Sequence, residues 1–199
     1  MTINKVFTSM LICLQISTLN AKCGFISGIT QNICFQKEDT IQGVTAIWET
    51  SPKQKTTLMY IKGFGFPHDS KEKRPIHTDA QNANAQAYLA DVENTIKHAE
   101  HTVFKSIKKD KLNKLLTVTD GNLILNISIN INDKGNIDAV RIMVFGKDAA
   151  NLFDAKDILR ITNDLTKKVH FKNPKTYSLN SIYFSFALSR KEIKKWQTE

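Results

Sequence analysis

The stretch Asn126–Phe145, NISININDKGNIDAVRIMVF, decides how this chain is read. With Leu123 and Leu125 just before it, Ile127, Ile129 and Ile131 fall on one side of an extended backbone, and Asn126, Ser128, Asn130 and Asn132 on the other. Successive side chains of a strand point to opposite faces, so this is a strand with one buried and one wet face. Asp133-Lys134-Gly135 then reverses the chain, and Gly135 is free to take the positive φ that a three-residue hairpin loop needs. After the turn the period slips. Ile137 is followed by Val140, Ile142 and Val144, and a spacing of three before spacings of two predicts a β-bulge near Asp138 and Ala139. The bulge turns Arg141 to the solvent side; a regular strand would drive it into the core.

Helical periods flank this hairpin. From Ala80, with Asp79 as N-cap, Leu89, Val92, Ile96, Ala99, Val103 and Ile107 recur at spacings of three and four, with Leu112 and Leu115 in position to prolong the stripe. Phe153–Val169 is a second helix: acids in its first turn, Lys167 and Lys168 in its last, and Ile158, Ile161 and Leu165 as its buried stripe. Pro174 stops it, and Ser181–Ser189, SIYFSFALS, is a last strand with Ile182, Phe184, Phe186 and Leu188 inward. On the N-terminal side, Thr40–Trp48 and Thr56–Phe66 are rich in β-branched and aromatic residues and read as a hairpin or two adjacent strands. The charged, proline-containing segment from Pro67 to Asp79 reads as an exposed connection. The expected fold class is therefore α+β: a small antiparallel sheet packed against two helices in the order helix-strand-strand-helix-strand, preceded by an N-terminal β-hairpin. The boundaries read from sequence are 1–21, 22–79 and 80–199.

Residues 1–21 stand apart. Lys5 precedes an apolar run with Met10, Leu11, Ile12, Cys13, Leu14 and Ile16, and Leu19-Asn20-Ala21 offers a small residue for cleavage, the pattern of a secretory signal peptide. An N-terminal helix of the mature fold is the alternative. The run is too short and too polar to form a lasting transmembrane span. Lipid attachment at Cys23 is disfavoured by the Lys22 before it. An exported chain would keep Cys23 and Cys34, which either form one disulfide or stand as free thiols. The expected address is periplasmic or secreted.

Of the 199 residues 41% are hydrophobic and 24% charged, ordinary values for a folded domain, which excludes a disordered tail or a polytopic membrane protein. The net charge of +9 is spread over Lys105–Lys111, Lys167–Lys175 and Arg190–Lys195. It reads either as solvated faces or as attraction to an anionic envelope surface; nucleic acid is the least fitting partner for an exported chain.

The N-D-x-G turn leading into I-x-x-V-x-I, followed by a helix ending in K-K-V-H-F-x-N-P and an aromatic strand, resembles the C-terminal domain of TonB-like proteins. Asp133, Gly135, Ile137, Val140, Ile142 and Phe171 carry the likeness, over roughly residues 115 to 190. It implies a small antiparallel sheet backed by helices, with Ser181–Ser189 as an edge strand. In that family, receptor segments add a strand to the sheet. The outward row here, Ser181, Tyr183, Ser185, Ala187 and Ser189, is then the candidate partner-binding edge. The family's energy transducers carry a membrane anchor and a proline-rich spacer that this sequence lacks, Val169 stands where an aromatic is expected, and Pro174 comes one residue late. Energy transduction is not implied. The chain looks more like the short exported Bacteroidetes proteins of unknown function in which such a domain stands alone.

No residue set forms a catalytic, cofactor-binding or metal signature. His98 and His101 lie at helical spacing, but on the side away from the apolar stripe. His68 and His77 sit in the charged connection, and Gly63-Phe64-Gly65 lacks the third glycine and following helix of a phosphate loop. Phe64 and Phe66 read as core or strand-pairing residues, with an exposed aromatic contact as the alternative. Two functions remain: a non-catalytic binding module for a protein partner or an anionic envelope surface, and an envelope hydrolase whose site the sequence does not flag.

Overall fold

The computed structural model describes residues 35–51, 55–64, 85–119, 121–146, 148–172 and 181–198. The leader segment 1–21, Cys23, Cys34, the connection 67–79, Phe66 and Pro174 lie outside the described residues. Within them run β1 (Phe35–Ile41), β2 (Val44–Ser51), β3 (Thr56–Ile61), α1 (Ala85–Ser106), α2 (Lys109–Val118), β4 (Leu123–Asn132) and β5 (Ile137–Phe145). A 3-10 turn at Ala149–Leu152 leads into α3 (Ala155–Lys168), then β6 (Ser181–Ser189) and α4 (Arg190–Thr198).

The fold is α+β, as expected. The strands form one six-stranded sheet in the order β1-β2-β3-β5-β4-β6, each neighbouring pair antiparallel. Strands from both sides of the 67–79 connection thus share one sheet, because Thr56–Met59 of β3 pair with Phe145–Ile142 of β5. The helices α1 and α3 pack side by side on one face, α3 over β1, β2, β3 and β5, and α1 over β6. Between them and the sheet lies the core, with Met59, Leu125, Ile127, Ile129, Ile131, Ile142, Ile158, Ile161 and Phe171 all sealed from water.

The bulge falls within the expected span. Asn130 pairs with Ala139 but Ile131 with Ile137, so Asp138 is the extra residue, its carboxylate accepting from Asn130 Nδ2 at 2.8 Å. Ile137, Val140, Ile142 and Val144 consequently share the helix-covered face. A second shift, between Leu123 and Leu125 opposite β6, lets Ile124 and Leu125 both be buried. Gly135 has φ 81° in the β4–β5 loop, which Asn132 organises by accepting from the backbone N–H groups of Lys134 and Asn136 through Oδ1.

Three local expectations are corrected. Thr40–Trp48 is not one strand: Gln42 and Gly43, at φ 52° and 76°, make a tight two-residue turn that matches the strand twist. Leu89 is 61% exposed, the inner position at that turn of α1 being taken by Tyr88, whose ring stands edge-on to Phe171 at 6.3 Å. Leu112 and Leu115 belong to a separate helix, α2, because Lys108 adopts an extended conformation. β6 leads directly into α4, opened by a reciprocal cap: Glu192 accepts from the Ser189 N–H at 2.7 Å and Ser189 Oγ accepts from the Glu192 N–H at 3.2 Å. Ser-Arg-Lys-Glu is the S-x-x-E signature of that cap, followed by Ile193 and Trp196 on one side, so the signal was present in the sequence.

Candidate functional site

The sheet has two edges, and their chemistry differs. β1 carries Lys37, Glu38 and Asp39, all exposed, with Lys37 lying over the Trp48 ring at 4.9 Å and Glu38 facing Lys62 at 3.5 Å. Charged side chains on an edge discourage another strand from pairing there, since their desolvation opposes it. β6 carries no charge and no proline, and among the described residues no strand pairs with its outer side. It is the edge strand that the resemblance implies, and β1–β3 sit at the opposite end of the sheet, away from it.

Toward the helices β6 contributes Ile182, Phe184, Phe186 and Leu188, all buried, with Phe184 against Phe171 at 6.0 Å. On the other face lie Ser181, Tyr183, Ser185, Ala187 and Ser189, opposite Asn132, Asn130, Ser128, Asn126 and Leu123 of β4. Hydroxyls and amides tie the two rows together. Tyr183 donates to Ser128 Oγ at 2.9 Å, and Ser185 donates to Asn126 Oδ1 at 2.7 Å. Tyr183 is nevertheless 59% exposed.

The other strongly exposed apolar side chain among the described residues is Leu89 of α1. Ser106 of α1 faces α3, donating to Asp164 at 2.7 Å and accepting from Arg160 Nε at 2.7 Å through its carbonyl. At 100° per residue, Leu89 and Ile96 fall on the flank away from Thr95 and Thr102, which are buried. That flank of α1 faces away from α3, and farther along the helix Phe104 packs against Trp196 of α4. Among the described residues no further strand lies beyond β6, and Tyr183 stands exposed on its face away from the helices.

Toward β3 and β5 the face opposite the helices is less wet than the Asn126–Asn132 alternation implies. Ile47, Leu58 and Tyr60 form a small buried cluster with Met143 beside it. Tyr60 donates to Glu49 Oε1 at 2.9 Å, and burial, reinforced by that bonded carboxylate, holds its phenol well above its ordinary range. Arg141 is on this face, as the bulge requires, but is half-buried instead of solvated; burial lowers the affinity of its guanidinium for its proton, opposed by Glu49 and Tyr60.

Among the described residues no three His, Cys, Asp or Glu side chains are placed to hold a metal. His98, His101 and His170 are exposed; His101 stacks near Trp196, and His170 bonds Asn136 at 3.1 Å. An open groove of about 320 Å³ between the β1–β2 turn and α3 is lined by Ile41, Gln42, Lys156, Asn163 and Lys167, with the Asp164 carboxylate already bound by Ser106 and Lys168. Asp157, buried between α2 and α3, is fully engaged by Lys111, by Arg160 at 2.6 Å and by the Asp154 N–H at 3.0 Å. That cluster is structural.

One charge pattern was invisible in sequence order. Gln197 donates to Asn113 at 2.8 Å, and Arg190 donates to the Leu116 carbonyl at 2.5 Å and to that of Thr119, so α2 and α4 lie together. This brings Lys108, Lys109 and Lys114 to the same end of the molecule as Lys191, Lys194 and Lys195, all six exposed.

Fold and edge define a class: an antiparallel sheet covered by helices on one face, with one charged and one uncharged edge. The solved structure of a DUF5043 family protein from Bacteroides uniformis has a similar fold, with a TM-score of 0.55 and 14% sequence identity over 77% of this chain and 85% of that one. No family model and no curated protein matches. Among the described residues no helix is long and apolar enough to cross a membrane.

Proposed function

We propose that this chain is an exported, non-catalytic binding protein of the periplasm or cell exterior, whose β6 edge takes up an extended segment of a protein partner. The observation that carries the reading is the contrast between the edges. The chain guards β1 with three charged residues and leaves the nine-residue β6 without charge or proline. Strand addition supplies affinity through main-chain hydrogen bonds and specificity through the alternate side chains. Here the exposed Tyr183 flanks the incoming strand on the face away from the helices. The TonB-like motif around Gly135 and Phe171 supports the same mode of binding.

Amide exchange tests it. In the dilute monomer, the β6 amides that do not bond to β4 should exchange far faster than those of β4, and partner binding should slow them. Uniform protection of Ser181–Ser189 in the free monomer overturns the proposal.

A second reading, contact with an anionic envelope surface, is favoured by the gathering of the α2 and α4 lysines. Each basic residue at an anionic bilayer surface contributes about 1 kcal/mol. Sedimentation with vesicles containing anionic lipid, but not with purely zwitterionic vesicles, and its loss at high salt, is the expected result. Equal behaviour with both vesicle types rejects it.

A further inference from the structure

We infer that the strand received by β6 is the β6 of a second copy of this chain, in a two-fold dimer centred on Ser185. The inference rests on the reading of β6 as an open edge and names its occupant.

Ser181–Ser189, SIYFSFALS, is close to a palindrome in residue class. About Ser185, Phe184 is matched by Phe186, Tyr183 by Ala187, Ile182 by Leu188 and Ser181 by Ser189. A two-fold interface is isologous: if residue i meets residue j, then j meets i. An antiparallel pair of identical strands has that symmetry. Side-chain alternation restricts the register further, since the two copies keep their faces together only when odd residues oppose odd and even oppose even. A dyad at Ser185 sets every residue of the strand opposite a residue of its copy, with the Ser189 N–H kept by the Glu192 cap, whereas a dyad at Phe184 leaves Leu188 and Ser189 with no strand residue opposite.

In this register the side chains are self-complementary. On the face away from the helices, the exposed Tyr183 lies across from Ala187 of the other copy, a large ring over a methyl group, and the symmetry repeats the contact. Ser185 meets Ser185, two small uncharged side chains whose hydroxyls each donate to Asn126 of their own copy. No charged residue is present to oppose itself across the dyad. On the core face Ile182 adjoins Leu188, and Phe184 adjoins Phe186, so the two cores run together. The axis is perpendicular to the sheet, so both α1 helices stay on the same side. The assembly closes, because the edges left outside are the two charged β1 strands.

The test uses the purified chain and its Ser185 variants. Sedimentation equilibrium from micromolar to millimolar concentration should show a reversible dimer, with protection of the outward β6 amides rising with concentration. Ser185→Lys and Ser185→Glu each place like charges on the dyad and should weaken the dimer at least about a hundredfold, while an equimolar mixture of the two should dimerise again. A dimer that tolerates both substitutions, or a mixture that stays monomeric although each variant is folded by circular dichroism, overturns the proposal. If the variants do not fold, the exchange measurement on the unaltered chain decides. A monomer at all concentrations with fast outward β6 amides removes the self-pairing but keeps the open edge. A monomer with β6 fully protected removes both.

Discussion

The backbone N–H of Phe171 donates to the carbonyl of Gly135 at 2.9 Å, and a Cβ built on Gly135 would stand 2.3 Å from the Phe171 carbonyl oxygen. The β4–β5 loop and the exit of α3 are thereby clamped together, next to the isolated bridge between Asn136 and His170. Gly135 is constrained twice, by its φ of 81° and by this close approach. Gly135→Ala should therefore destabilise the chain by about 2–4 kcal/mol, more than backbone strain alone would cost. Urea unfolding checks this; a loss below about 1 kcal/mol would mean the clamp yields freely.

Asp157 sits at the start of α3 with its side chain 3% exposed, held by Lys111 and Arg160. Burial alone would raise its pKa, but the hydrogen bonds from Lys111 and the Asp154 backbone, with the lysine's charge, hold it below the ordinary 3.8. A depressed folded-state pKa contributes stability that is fully present above the unfolded value and is lost as pH falls through the folded one. Asp157→Asn should cost about 2–4 kcal/mol at neutral pH, the lower end allowing for the water that reaches the two cations. The gap to the unaltered chain should narrow below pH 4, which unfolding midpoints measured against pH will show.

The reciprocal cap at Ser189 and Glu192 starts α4, which places Trp196 edge-on to Phe104 at a centroid distance of 4.8 Å. Ser189→Ala should cost about 1 kcal/mol and Trp196→Ala about 2–3 kcal/mol, since Trp196 is only partly buried. Both should leave the β4–β5 hairpin protected from exchange. Thermal melts and site-resolved exchange separate this local effect from global loss.

Export predicts a mature chain that begins after Ala21. Mass spectrometry of the protein from its own cells should show the cleavage, and an intact Met1 would remove the proposed address. Thiol labelling under denaturing conditions then distinguishes a Cys23–Cys34 disulfide, which gives no label without reduction, from free thiols, which label at both.

How much could be read in advance follows the range of the forces involved. The alternation of Leu125–Ile131, the slip after Ile137 and the stripe of Ile158, Ile161 and Leu165 are local periodicities set by the geometry of a strand or helix, and each has the burial its pattern predicts. The Gln42-Gly43 turn is hard to read locally because glutamine is an unusual residue at positive φ. The inner position at the start of α1 goes to Tyr88 and not Leu89 because of Phe171, distant in sequence. The cap at Ser189 is legible in its S-x-x-E spacing.

By itself the sequence determined which faces are apolar, where the chain turns and where a bulge must fall, because steric and hydrophobic periodicity act between residues a few positions apart. The tertiary structure alone decided that β3 pairs with β5, which joins both parts of the chain in one sheet. It also decided that β1 stands at the end of the six-stranded sheet opposite β6, and that the lysines of α2 and α4 share one end of the molecule. Strand order and helix adjacency are set by contacts between residues distant in sequence, where matching of surfaces and not local period selects the neighbour, so the candidate binding edge exists only once the sheet has closed around it.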